Sequence, residues 1–195
     1  MNETTAFISS QPLENYSSKE YTTKAGKKIY AYDDLFDFKF RDHMYNFIKA
    51  SYFQIGWHDS ETEEAMRYKN IHSKYSHEDN VKNGFIETVS KTDLAKHFEG
   101  LKIVKSVVNL STPSDVNWIH AHPEKLGMLY YANLTWRNHW YGETLFFSED
   151  EKEIEVALPY TPGRIVIFDA QIPHTIRPQS IAADQYRFTF STFFN

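Results

Sequence analysis

Along the second half of the chain, short runs rich in apolar, β-branched and aromatic residues follow one another: Lys102 to Leu110, Asn117 to His122, Gly127 to Leu134, Thr144 to Phe147, Glu153 to Leu158, Arg164 to Phe168, Ile172 to Thr175 and Tyr186 to Phe194. Runs of this length and composition read as strands, and turn-formers such as Pro113-Ser114-Asp115 and Thr161-Pro162-Gly163 separate them. Many short strands without an internal repeat predict a mainly β chain folded as a double-sheet jelly roll, the cupin-like double-stranded β-helix, with flanking helices.

The first half reads differently. From Asp37 onwards, Phe40, Met44, Phe47, Ile48 and Tyr52 recur at helical spacing, with Asp37 placed to cap the first turn. This predicts a helix that braces one sheet. Thr92 or Asp93 is set to start a second short helix that runs through Phe98 and stops at Gly100. Lys28 to Tyr32 reads as a short strand, residues 1 to about 26 as a loose arm or edge extension, and Glu61 to Asn83 as helix and loop over a site mouth. With no linker, residues 1–195 form one domain: an arm and support helices up to residue 100, then the jelly-roll core over 101–195.

Composition narrows the chemistry. A chain of 195 residues can bury one sizeable core, and an aromatic content of 16% suits strand packing. Without cysteine there is neither a disulfide framework nor thiolate ligation, so any metal is held by nitrogen and oxygen. A formal charge of -5 argues against a nucleic-acid partner. No apolar run approaches membrane-spanning length and Met1 to Lys28 lacks an apolar leader, so the default expectation is a soluble, cytoplasmic protein.

Chemistry-bearing residues concentrate in the strand-rich part. His120 and His122 are two apart, so on a strand their side chains share a face and can share a metal. His174 follows Pro173 at the end of a later strand, and Arg187 and Thr189 share one face of the last strand, where a guanidinium and a hydroxyl grip a carboxylate together. Read plainly, the three His are a zinc site or unrelated buried histidines, and Arg187 a structural ion pair. His58, His72, His77 and His97 lack a partner at ligand spacing and read as surface or supporting residues.

The ordered set His120-Ala121-His122, Leu129-Tyr130-Tyr131-Ala132-Asn133 with Trp136, Tyr141-Gly142-Glu143-Thr144-Leu145-Phe146, Pro162-Gly163-Arg164, Ile172-Pro173-His174 and Tyr186-Arg187-Phe188-Thr189 resembles the 2-oxoglutarate- and iron(II)-dependent dioxygenases. The likeness is greatest to their prolyl-4-hydroxylase-like branch, of phage and bacterial type. It implies iron(II), 2-oxoglutarate and O2, hydroxylation of an unactivated C–H bond in a peptidyl or small-molecule substrate, His120, His122 and His174 as metal ligands, and Arg187, Tyr131, Asn133 and Thr189 around the cosubstrate. It departs from the family at the first pair, where a carboxylate is expected two residues after the first His. Two registers are open: His120, His122 and His174, or His122, Glu124 and His174 across Pro123. The first is favoured, because Glu124 falls in a hairpin turn that leaves its direction poorly fixed. Two other readings stand beside this one: a three-His cupin-like dioxygenase that uses no 2-oxoglutarate, and an inert jelly-roll binding module. Trp136, Trp140 and Thr144 are candidates for the entrance, Arg177 for the rim, and Arg164 for ordering a turn.

Overall fold

A computed structural model describes residues 13, 15–56, 70–113 and 118–195. Among them are eleven strands: β1 (Ser17–Thr22), β2 (Lys28–Asp33), β3 (Gln54–Ile55), β4 (Ile71–Tyr75), β5 (Ile103–Ser111), β6 (Leu126–Tyr131), β7 (Thr144–Phe147), β8 (Ile154–Leu158), β9 (Ile165–Asp169), β10 (His174–Ile176) and β11 (Arg187–Phe194). Three α-helices accompany them: α1 (Phe38–Lys49), α2 (His77–Asn83) and α3 (Phe85–Ser90). The strands form a large sheet in the order β1-β2-β9-β6-β11-β5-β4-β3 and a small one in the order β10-β7-β8, antiparallel throughout. This is the jelly-roll arrangement that the strand pattern predicts.

The two faces of the large sheet have different partners. On the outer face, Val108, Met128, Tyr130, Ile165, Ile167, Phe188 and Phe190 pack against Phe40, Met44 and Ile48 of α1 and against Phe85 and Val89 of α3. Helix α1 starts where the sequence predicts, because the Asp37 carboxylate accepts the Phe40 backbone N–H at 2.8 Å and satisfies a first-turn donor. On the inner face, Ile29, Ala31, Leu129, Val166 and Phe168 form a second core with Phe146, Val156 and Leu158 of the small sheet. That core covers only the β2-β9-β6 half. The other half, β11-β5-β4, is left facing a cavity.

Three elements differ from expectation. The segment read as a loose arm holds β1, which pairs with β2 from Ser17 opposite Asp33 to Thr22 opposite Lys28. Its residues are almost all exposed, so no alternation of polar and apolar positions marks it. The segment read as helix and loop holds β4, paired with β5 through His72 opposite Asn109. The large sheet therefore takes four strands from residues before 101. The second short helix is a 3-10 turn over Asp93–His97, capped by the Thr92 side chain. Of the predicted strand Asn117 to His122, residues 118–122 form only a one-residue bridge at His120, and Asn117, His58 and residues 61–69 lie outside the described residues. No helix among the described residues is long and apolar enough to cross a membrane.

Candidate metal centre and anion clamp

His174 opens β10, and His120 pairs with it in a one-residue antiparallel bridge: His120 N–H donates to the His174 carbonyl at 3.0 Å, and His174 N–H to the His120 carbonyl at 2.8 Å. His122 is tied two residues further on, through its N–H to the Ala170 carbonyl at 2.9 Å. This ladder brings one ring nitrogen from each of the three His within 4.8 Å of the others. Two of the rings are oriented in the same way. His120 Nδ1 lies 3.2 Å from the Trp118 carbonyl and His174 Nδ1 2.8 Å from the Ile172 carbonyl, in each case the carbonyl two residues back. A carbonyl accepts only a proton-bearing nitrogen, which leaves Nε2 as the lone-pair donor toward the cluster.

The cluster is electrostatically set to stay neutral. Burial lowers the pKa of all three imidazoles; His122, with His174 and His120 adding to the effect, is pushed down to about 2, and His174, with His120 adding, to about 3. Glu124 takes no part in the cluster. It is buried, 5% exposed, and its carboxylate meets Lys105 at 3.4 Å. The expected hairpin position of Glu124 is thus a buried one, turned toward β5.

On the opposite wall, β11 alternates between core and cavity. Phe188 and Phe190 enter the helix-side core, whereas Arg187, Thr189, Ser191 and Phe193 line the cavity with the three His. Arg187 is 1% exposed. Its Nε donates to the Gly142 carbonyl at 3.0 Å, its guanidinium carbon lies 4.7 Å from the Tyr160 ring centre, and both Nη atoms are buried without a hydrogen-bond partner. Burial pulls its pKa below the ordinary arginine value. Two unsatisfied, parallel donors on a buried cation are what a carboxylate with two acceptor oxygens would satisfy.

Tyr131 is one layer behind. Its hydroxyl shares a 2.6 Å hydrogen bond with Thr144 Oγ1, and its ring stacks on Tyr160 at 4.6 Å; Thr144 itself faces the cavity. Asn133 does not reach it. The Asn133 amide donates to the Gln185 side chain and the Tyr186 carbonyl and accepts from Tyr160 and the Phe188 N–H, so all of its capacity is spent on holding the start of β11. The placement of Asn133 beside a cosubstrate is therefore corrected: β6 ends at Tyr131, and the alternation that put the two residues on one face does not extend to 133. Trp136 donates to the Tyr141 carbonyl at 2.8 Å and packs on Tyr160 and Trp140. Arg164 holds Asp33 through two contacts of 2.6 and 2.7 Å, and Arg177 lies over the Tyr141 ring at 3.6 Å.

Sequence reasoning missed several cavity residues: His72 on β4, Asn109 and Ser111 on β5, and Trp118 before the His pair. His72 had a signal in its register. It stands opposite Asn109, which stands opposite Thr189, in one row across the sheet.

No protein-family model and no curated protein matches the sequence. Solved structures do match the fold. A prolyl-4-hydroxylase from Pseudomonas putida superposes with a TM-score of 0.62 over 92% of both chains at 14% identity. A prolyl hydroxylase from Trichoplax adhaerens, solved with a peptide of hypoxia-inducible factor, gives 0.61 over 91% of this chain and 82% of that one at 13% identity. A 2OG-Fe(II) oxygenase family member from Burkholderia pseudomallei gives 0.59 over 82% and 79% at 8% identity. The fold is that of these oxygenases.

Proposed function

We propose that this protein is a 2-oxoglutarate- and iron(II)-dependent oxygenase that hydroxylates an unactivated C–H bond. The observation that carries the reading is the buried Arg187 guanidinium, with both Nη atoms unpaired, on the wall facing a cluster of three neutral imidazoles. A structural arginine would have its donors satisfied in the fold; the two Nη donors of this one match the two acceptor oxygens of a carboxylate.

The donor set fits the cofactor. Three imidazole nitrogens suit iron(II), and their depressed pKa values keep the lone pairs available at neutral pH. His120, His122 and His174 would hold the metal, with the Trp118 and Ile172 carbonyls fixing two of the rings. Arg187 would take the far carboxylate of 2-oxoglutarate, with Thr189 beside it on the strand and the Tyr131–Thr144 pair closing the end of the slot. When bound, iron(II) and 2-oxoglutarate supply the oxidising chemistry: O2 is split between a hydroxyl on the substrate and the new carboxylate of succinate, with release of CO2.

The chain's own contribution is placement. Tyr131 and Tyr160 exclude water around the clamp, which strengthens the Arg187–carboxylate contact in a low-dielectric setting. Three neutral ligands leave the charge of the metal to be balanced by the cosubstrate, so anion binding should be tight. The peptide bound to the Trichoplax enzyme keeps a peptidyl substrate in view beside small molecules. A cupin-like dioxygenase without 2-oxoglutarate is disfavoured, since it has no use for Arg187 in this position. The test is anaerobic addition of 2-oxoglutarate to iron(II)-loaded protein, followed by admission of oxygen. A visible absorption band and then succinate release are expected; iron binding without either would refute the assignment.

A further inference from the structure

The segment from Trp140 to Glu143 joins the clamp to the rim of the molecule. Its Gly142 carbonyl accepts from the buried Arg187 Nε at 3.0 Å. The residue before that glycine is strained. Tyr141 has φ 59° and ψ -141°, a backbone conformation that glycine adopts freely and that any other residue keeps only where its surroundings impose it. Here Trp136 Nε1 donates to the Tyr141 carbonyl at 2.8 Å, Tyr141 forms an isolated bridge with Gln179, and the Ser180 N–H donates to the Trp140 carbonyl at 2.8 Å. A glycine at 141 would be free of the strain, so the Tyr141 ring must supply a contact that glycine cannot. It carries the Arg177 guanidinium, 3.6 Å from the ring centre.

Glu143 completes the arrangement. In the β10–β7 ladder Ile176 stands opposite Thr144, so Arg177 comes opposite Glu143, and the Arg177 N–H donates to the Glu143 carbonyl at 2.9 Å. The side chains meet as well, with Arg177 Nη1 3.6 Å from Glu143 Oε1. The Glu143 side chain is 22% exposed, and its Oε2 is buried without a hydrogen-bond partner. Its charge reaches the clamp: burial lowers the Arg187 pKa, while Tyr160, Tyr131 and Glu143 act in the opposite direction. Yet the two residues do not pair, because both Arg187 Nη atoms are without a partner. A half-satisfied carboxylate and a half-satisfied guanidinium are thus kept apart, although the segment that carries the first is tied to the second through Gly142.

We propose that Arg177 is a positioning residue of the anion clamp: fixed on the Tyr141 ring, it holds the Glu143 carboxylate at the rim and so leaves the Arg187 Nη donors open to an incoming carboxylate. The inference rests on the oxygenase reading, in which that carboxylate is the far end of 2-oxoglutarate. Without Arg177 a largely buried carboxylate is left uncompensated, and turning it toward Arg187 satisfies both groups at the expense of the ligand.

The test is calorimetric titration of 2-oxoglutarate into manganese(II)-loaded protein, with manganese affinity measured on each variant. Arg177→Gln should weaken 2-oxoglutarate binding by about fivefold or more, the lower end of a typical coupling between two sites, with manganese affinity unchanged. Glu143→Gln should bind 2-oxoglutarate as tightly as the wild type or more tightly. The double variant Arg177→Gln/Glu143→Gln should follow Glu143→Gln, since removing the competitor removes the need for its restraint. Arg177→Lys keeps a charge beside Glu143 and should recover most of the lost affinity. Arg137→Gln removes another arginine stacked on this loop, 5.3 Å from the Trp140 ring centre, and should leave binding unchanged. Unchanged affinity in Arg177→Gln, an equal loss in Arg137→Gln, or a double variant as weak as Arg177→Gln would overturn the inference while leaving the oxygenase reading in place. A wild-type protein that binds manganese but no 2-oxoglutarate would overturn the oxygenase reading and this inference with it.

Discussion

Replacing Arg187 by Met should move stability and cosubstrate affinity in opposite directions. In the protein alone, Arg187 is a desolvated cation whose side chain makes one hydrogen bond, to the Gly142 carbonyl, and leaves two donors unsatisfied. Removing it loses that bond and leaves a buried carbonyl, at a cost of about 1–3 kcal/mol. It also relieves the burial of a charge, and exchanging buried ionic groups for well-packed apolar ones is often neutral or stabilising by about 1–4 kcal/mol. The two effects offset, so the urea midpoint of the metal-free Arg187→Met protein should equal or exceed that of the wild type. For 2-oxoglutarate the balance is one-sided. Losing one partner of a buried, hydrogen-bonded charge pair costs about 2–5 kcal/mol, or about 30- to 5,000-fold in affinity. Calorimetry on manganese-loaded protein measures this, and metal affinity should change by less than about twofold, because Arg187 touches none of the three His rings. A variant destabilised by several kcal/mol with unchanged 2-oxoglutarate affinity would show that Arg187 is structural and would refute the clamp.

Gly142→Ala should reproduce part of that effect from outside the site. Gly142 has φ +85°, and a Cβ there would lie 3.1 Å from Arg187 Cδ and 3.3 Å from Nε, so alanine costs about 1–2 kcal/mol of backbone strain and displaces the guanidinium. The KM for 2-oxoglutarate should rise with metal affinity unchanged, and an unaltered KM would show that the clamp tolerates the shift. Glu124→Gln against His122→Ala separates the two ligand registers: the first should leave iron affinity within about twofold, and the second should lower it by more than the roughly 10- to 100-fold that loss of an outer partner causes. The reverse order in a metal-competition titration would restore Glu124 as a ligand. The metal-free protein should also weaken in acid. His122 and His174 stay neutral in the fold down to about 2 and about 3, while the unfolded chain binds protons near 6.5, so stability is complete above that value and declines as pH falls, by up to about 1.4 kcal/mol per unit per group. Urea midpoints at pH 7.5 and 5.5 should show a smaller drop for His174→Gln than for the wild type; equal drops would place the titration elsewhere.

What the sequence revealed of the fold follows from where apolar residues are needed. Thr144–Phe147 was legible to the residue because Leu145, Phe146 and Phe147 make a short apolar run between Gly142 and the polar Ser148-Glu149-Asp150, with Phe146 buried in the core. Strand β4 was illegible for the complementary reason. Its inward residues, His72 and Lys74, face a cavity and not a core, so Ile71-His72-Ser73-Lys74-Tyr75 carries no apolar stripe on that side, and only pairing with β5 makes it a strand. The same logic divides the site. The spacing of His120 and His122 could be read, but the bridge to His174 and the two carbonyls that set the ring tautomers belong to backbone contacts with no residue signature. Asn133 was misplaced because alternation is a rule of strands and holds only while the strand lasts; two residues past Tyr131 the chain has turned, and the amide serves β11. Where a ligand and not a core sets the side-chain chemistry, periodicity fails as a guide. The strand hidden by that failure is the one whose inward side lines the cavity: β4 becomes a strand through its pairing with β5 and not through burial of an apolar stripe.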